Sequence, residues 1–481
     1  MPMQTTFSSF QKMPEETTLI YPTLELFLYD IREGLGQHTL NINDNRKYFW
    51  QRIYSKLQNN SSTQDIQDET FLEKLKEAEK SEANYIELLG SDIVKHFERP
   101  LEGYYHPVLI GDTYALRVNC SGVYADGVRQ SNYKPQLLKN LHGIQEEIIS
   151  HINRQPGTIG QTWMMWGQLT DVHQNPTQIA LECYKQLAPN PHNWERDLKT
   201  KGQFLGGTLF ELWCPPSEWS APEKLSENYH LLIWLFPPNQ SINSVGDSIA
   251  EIYLDLLHLF CYRNKALWAY GQSCQIAAKL KTETISIQTT IRNASQLPQQ
   301  KTPSDLQMKR LREVLSHSLT LYSRYAANLS DLSTLGRIIE INLENYAKQL
   351  TILEKVEARS NLQFLAEFGE FAAAKYLRQI EMEHTSLSYG LPSLENLIRT
   401  VEGVIATYQT QSDRALNSTI AAASVGLATS AVLITSTVAA NVLVSQAYEN
   451  KDTVSFQSIA LGVSLLAGAL ASLIAWKIFH R

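Results

Sequence analysis

Two long apolar runs near the C-terminus constrain this chain more than any other feature. Residues 415–448 and 455–476 contain no Asp, Glu, Lys or Arg, and the polar stretch Glu449, Asn450, Lys451, Asp452 lies between them. Each run exceeds the roughly 20 residues that carry a helix across a bilayer core about 30 Å thick. Backbone groups in lipid must be satisfied within the segment, so two helices that turn straight back are expected, over about 415–447 and 455–478. Arg414 precedes this hairpin and Lys477, His480 and Arg481 follow it. The basic flanks place both termini on the cytoplasmic side of an inner or plasma membrane.

Composition bears on the other 400 or so residues. A net charge of −7 offers no basic excess for nucleic acid, which argues against DNA or RNA as a partner. Cys120, Cys183, Cys214, Cys261 and Cys274 are scattered without a CxxC pair, so neither a zinc site nor a disulfide framework is signalled. No basic segment followed by an apolar core opens the chain, so no signal peptide is expected and the hairpin serves as the membrane address.

Residues 1–104 read as a helical region. Helices are expected over 21–31, with Pro22 near the start, over 47–57, and from 68 to about 97, after a polar linker at 59–67. From 105 to 240 the period changes to that of strands. Apolar or alternating runs near 106–111, 113–120, 162–169, 204–213 and 230–236, with helices over about 136–153 and 175–187, predict an α/β domain with a sheet of four or five strands. Residues 241–390 carry helical periodicity throughout. Ile249, Ile252, Leu256, Leu259 and Tyr262 recur at spacings of three and four. From Leu311 to Leu353 the apolar series keeps close to a 3.5-residue period, the pattern of a long coiled-coil-like helix. A further helix is expected over 356–383, a turn at 388–392, and then one continuous helix from Ser393 to about Gln446 that enters the membrane. The expected fold class is therefore a multidomain membrane protein of mixed α+β and α type. Its parts are an N-terminal helical region (1–104), an α/β cytosolic domain (105–240), long helices (241–390), and a stalk with the transmembrane hairpin (391–481).

This order of parts resembles the CorA family of divalent-cation transporters over roughly residues 105–481. The resemblance implies a homo-oligomer, a pentamer in that family, with the first span lining a pore and Mg2+ or another divalent cation as cargo. The family's Gly-Met-Asn motif at the outer end of the first span is replaced here by Tyr448, Glu449 and Asn450.

Several constellations could serve such a role. At 100° per residue Thr419, Gly426, Ser430, Thr437 and Asn441 share a narrow stripe of the first span, suited to lining a hydrated pore or to close helix packing. Ser418, Thr429 and Ser436 form a rival stripe, and Ser464, Gly468 and Ser472 of the second span have the spacing of helix contacts. Glu449, Asn450 and Asp452 could ring an outer mouth, against the plainer reading of a solvated turn. Glu251, Asp255 and His258 fall on one helix face, where they could hold a regulatory cation or simply face solvent. A single Glu381-x-x-His384 falls short of a di-iron set. No phosphate loop, GxGxxG, HExxH or GxSxG occurs, and no enzyme activity is expected. The leading reading is thus a homo-oligomeric cation channel or transporter in the lipid bilayer, with a cytosolic sensing domain. The alternatives are a non-conducting membrane-anchored scaffold and a membrane-disrupting effector.

Overall fold

A computed structural model describes residues 17–34, 39–54, 73, 75–77, 80, 83–89, 93–98, 101–123, 134–189, 193–295, 305–357 and 361–409. The elements in chain order are β1 (Thr18–Ile31), α1 (Thr39–Tyr54), β2 (Tyr85–Glu87), β3 (Lys95–His96), β4 (Leu101–Ile110), β5 (Thr113–Val123) and β6 (Pro135–Leu137). Then come α2 (Leu141–His151), β7 (Gly160–Leu169), α3 (Pro176–Leu187), α4 (Trp194–Asp197), β8 (Leu198–Phe204), β9 (Gly207–Cys214) and β10 (Tyr229–Phe236). The remainder is helical: α5 (Ile242–Ser295), α6 (Asp305–Glu354), α7 (Gln363–Ala372), a π turn over Ala373–Leu377, α8 (Arg378–Ser388) and α9 (Gly390–Gln409). The chain divides into two units, Met1–Gln275 with Leu335–Met382, and Ile276–Thr334 with Glu383–Arg481.

The first unit is built on one mixed sheet of ten strands in the order β2-β4-β5-β1-β7-β10-β9-β8, with β3 on β4 and β6 on β1. Only β7 and β10 run parallel among these pairs, with Leu231 opposite Trp163. At its centre lies β1, antiparallel to both β5 and β7. Successive side chains of a strand point to opposite faces, so a central strand covered on both sides must be apolar almost throughout. β1 shows this directly. Leu24, Leu26 and Leu28 enter a core shared with Ile144 and Ile148 of α2 and Ile179 and Cys183 of α3. On the opposite face Phe27 meets Phe260 of α5 with ring centroids 5.1 Å apart, and the Tyr29 hydroxyl donates to Leu257 O at 2.8 Å.

This sheet corrects the expected fold class in three places. Residues 21–31 belong to a strand rather than a helix, because the run Pro22–Asp30 is buried on both faces. Pro22, expected near a helix start, sits where the β1–β7 register shifts between Ile20 and Thr23, a bulge that has no need of the missing N–H. The helix expected from 68 to 97 is replaced at its end by the short strands β2 and β3. The sheet itself has ten strands rather than four or five.

The membrane architecture is corrected as well, and with it the ion-transport reading and the inner- or plasma-membrane location with cytoplasmic termini. No helix among the described residues is long and apolar enough to cross a membrane. The long helices fail on charge: α5 alone carries Asp247, Glu251, Asp255, Arg263 and Lys265 within five turns. The continuous helix expected over 393–446 is described only as far as Gln409. Both expected spans, 415–447 and 455–478, lie outside the described residues.

In the second unit, Leu311 and Leu315 of α6 pack with Leu397, Val401 and Ile405 of α9. Tyr325, fully buried, donates to Leu387 O at 2.7 Å, and a Cβ on Gly390 would stand 2.6 Å from the Tyr325 ring. Glycine at 390 is thus required by the close approach of that ring.

Candidate ligand-binding site

A cavity of about 550 Å3 opens in the first unit where α2, α3 and the first residues of β7 meet. Its floor includes Trp163, and its walls carry His142, Gln145, Arg154, Gln161, Lys185 and Tyr229 among other residues. Local sequence explains the frame. Asn175 caps α3 by accepting from Thr177 N at 2.9 Å, and Pro176 begins the helix where no N–H is needed. At the other end of α3 the Leu187 carbonyl accepts from Gln145 Nε2 at 3.0 Å and from the Tyr229 hydroxyl at 2.8 Å. One orphan carbonyl of a helix terminus therefore ties α2, α3 and β10 together at the cavity wall. Burial pushes the Tyr229 hydroxyl well above its ordinary range, so it stays a neutral donor.

The opposite wall is the turn at 152–158, and buried charge holds it. Arg52, fully buried, donates from Nε and Nη2 to the Asp30 carboxylate at 3.2 Å each, and from its Nη atoms to the carbonyls of Gln155 and Pro156. Asp30 also accepts from Thr158 N at 2.8 Å. A Cβ on Gly157 would lie 2.4 Å from Gly160 O and 2.7 Å from Tyr29 O, so only glycine lets the turn lie against the backbone near the end of β1.

Polar groups around the cavity are mostly spoken for. Arg154 pairs with Glu146 at 2.9 Å and Lys185 with Glu182 at 2.7 Å, both at the surface, where such pairs are worth little and exchange readily. Asn228 Oδ1 accepts from Trp213 Nε1 at 2.9 Å, which fixes its amide orientation. Gln161 is the exception. Its Oε1 is shielded from solvent and has no hydrogen-bond partner. A buried acceptor left unmade costs about 1–3 kcal/mol, so the Gln161 amide gains by turning out to a ligand that brings the donor.

The other face of the sheet, under α5, carries a second set of buried polar groups. Glu25 is fully buried and accepts from Arg117 Nε at 2.6 Å and Nη2 at 3.0 Å, from Asn119 Nδ2 at 3.2 Å and from Trp166 Nε1 at 3.0 Å. Arg117 in turn lies over the Tyr253 ring at 4.7 Å. Three of these donors converge on Oε1 of Glu25 and one on Oε2.

The residues singled out from sequence fall elsewhere. Asp255 Oδ1 accepts from Gln349 Nε2 at 2.7 Å, and His258 Nδ1 donates to Leu254 O at 2.8 Å, so two of the three candidate metal ligands have other partners. Among the described residues no group of three His, Cys, Asp or Glu side chains is placed to hold a metal ion. Thr419, Gly426, Ser430, Thr437 and Asn441 lie outside the described residues, as do Glu449, Asn450 and Asp452. Conversely, Gln161, Arg52, Glu25 and Glu211 were not among the expected site residues. For Glu25 and Glu211 the signal in the sequence is a lone charge inside an apolar strand run, ThrLeuGluLeuPhe at 23–27 and LeuPheGluLeuTrp at 209–213, whereas Gln161 and Arg52 carry none. Compared with known proteins, the chain matches no family model, no curated protein and no solved structure.

Proposed function

We propose that the chain is a ligand-responsive regulatory protein whose sheet unit binds a small polar molecule in the cavity between α2 and α3. The observation that carries this reading is the unpartnered amide oxygen of Gln161, a residue that lines a space of about 550 Å3. That volume lies within the roughly 300–1,000 Å3 usual for small-molecule sites. Gln161 selects a donor, an amine, amide N–H or hydroxyl. Arg154 and Lys185, exposed and only loosely paired, favour a negative group at the mouth. A compact molecule with both features, such as an amino acid or a hydroxy acid, meets both requirements. The role proposed is one of sensing.

Thermal-shift screening of amino acids, hydroxy acids and nucleosides, followed by calorimetry, tests this. Gln161→Leu is expected to weaken the best compound about tenfold, the equivalent of about 1.4 kcal/mol for one lost hydrogen bond. The same variant is expected to melt no lower than the parent, because the oxygen it removes has no partner in the free protein. If no compound stabilises the parent, or Gln161→Leu binds the best compound as tightly as the parent, the reading fails.

A further inference from the structure

Beneath α5 a polar chain crosses three strands without touching the ligand cavity. Asn264 of α5 donates from Nδ2 to Phe260 O at 2.8 Å and to Thr162 Oγ1 at 3.1 Å. The Thr162 hydroxyl, having accepted there, gives its own proton to His230 Nδ1 at 3.0 Å. Where the Thr162 proton goes to Nδ1, His230 Nε2 carries the hydrogen that Glu211 Oε1 receives at 3.2 Å. In that direction each donor is consumed in sequence from α5 to β9. Thr162, His230, Glu211 and Asn264 are all buried.

The chain stops short of one more group. Arg263, 1% exposed, lies with its guanidinium against the rings of Trp213 and Phe368, which meet edge to face 5.9 Å apart and have their centroids 5.0 and 4.5 Å from it. None of its Nε, Nη1 and Nη2 atoms has a hydrogen-bond partner. Its Nε stands 3.9 Å from Glu211 Oε1, beyond hydrogen-bond reach. Guanidinium donors bond only in the plane of the group, and the Glu211 carboxyl is the one anionic partner within 4 Å of it among the described residues.

We propose that Glu211 gains and loses a proton in place, and that this breaks and makes its bond to Arg263, forming a proton-operated latch between β9 and α5. In the open state of this latch the carboxyl is neutral, receives the His230 N–H, and leaves the guanidinium to the two rings. Loss of the proton to solvent creates a carboxylate, which needs to move only about 1 Å to bond Arg263. The geometry favours this reading over a permanent ion pair. An ionised carboxylate left 3.9 Å from a buried guanidinium, with every donor unmade, would bear the desolvation of both ions without their bond.

The groups that face Glu211 agree. His230 comes from β10, Arg263 from α5, Lys199 from β8 and Tyr346 from α6. Burial pushes Glu211 from 4.5 up to about 7, opposed by Arg263 and Lys199. Burial, reinforced by Arg263, holds His230 well below its ordinary range, so the imidazole does not compete for the proton. With its folded value above its unfolded one, Glu211 contributes stability that is complete below about 4.5 and is lost as pH rises through about 7.

Infrared difference spectroscopy of the whole chain across this range reads the proton directly. The parent is expected to lose a carboxylic-acid band with a midpoint near 7, and Glu211→Gln to lack that band. Arg263→Met removes the cation that favours ionisation, so the midpoint is expected to move upward. In denaturant, the unfolding constant of the parent relative to Glu211→Gln is expected to rise about tenfold per pH unit between about 4.5 and about 7. If Glu211→Gln does not fold, the parent and Arg263→Met spectra still decide. A parent with no acid band above pH 4.5, or a midpoint that Arg263→Met leaves unmoved, overturns the latch.

Discussion

Glu25→Ala is expected to destabilise the sheet unit by about 3–5 kcal/mol, the cost of stripping one partner from a buried ion pair. The side chain is fully buried at the middle of β1 and accepts four hydrogen bonds, two of them from Arg117. Arginine cannot shed its proton to escape, so the variant leaves a cation with a 6% exposed side chain facing Tyr104 and Tyr253 without its counter-ion. Asn119 and Trp166 lose an acceptor at the same time. Charge, rather than shape, is the larger part of this cost. Glu25→Leu combined with Arg117→Leu is therefore expected to recover most of it, because both ions then leave the interior together and apolar volume replaces them. Urea titrations followed by tryptophan fluorescence compare the three proteins. A single variant within about 1 kcal/mol of the parent would show that the pair contributes little and that water reaches Glu25.

The strands legible in the sequence are those whose own residues declare them. TrpMetMetTrp at 163–166 and HisLeuLeuIleTrpLeuPhe at 230–236 are short, aromatic and aliphatic, and bounded by polar or proline-containing segments, and they form β7 and β10. β1 is the instructive failure. Its run from Leu24 to Ile31 is apolar on both faces but for Glu25 and Asp30, and periodicity alone does not separate such a strand from a buried helix. Pro22 then tipped the reading towards a helix start. What makes the segment a strand is pairing with Leu116 and Val118, about 90 residues on, and with Trp163 and Met165, about 140 residues on. Contacts at that separation leave no local mark. The short edge strands β2 and β3 were missed for a related reason: two or three residues have no period.

Site residues were hidden by the same long-range geometry. Gln161 is unremarkable in its own segment, and only the fold shows that its oxygen is shielded and unmet. Glu25, Glu211, Arg117 and Asp30 did leave a trace, a lone charge in an apolar strand, since a buried charge requires a partner somewhere. The sequence says that partners exist but not which. In contrast, the stripes on 415–478 were conspicuous because hydropathy is a purely local property, and that same locality made them a poor guide to the architecture of the described residues.

The same reasoning makes Arg52 the most informative position for linking stability to the cavity. Arg52→Leu is expected to cost about 3–5 kcal/mol, because Asp30 is left buried with no cation while it still accepts from Thr158 N. It is also expected to abolish binding of whichever compound stabilises the parent, since the carbonyls of Gln155 and Pro156 lose the donors that hold that wall. The two effects can be separated. Adding Asp30→Leu removes the orphaned carboxylate and is expected to restore much of the stability. It does nothing for the two carbonyls and deprives Thr158 N of its acceptor, each unmet group costing about 1–3 kcal/mol where it stays buried. The double variant should therefore fold and melt nearer the parent while the ligand-induced shift stays absent. Melting curves with and without the compound distinguish the cases. Were the double variant to regain binding together with stability, the 155–158 turn would be positioned by its backbone and by Gly157 alone, and the buried ion pair would matter to the core but not to the site.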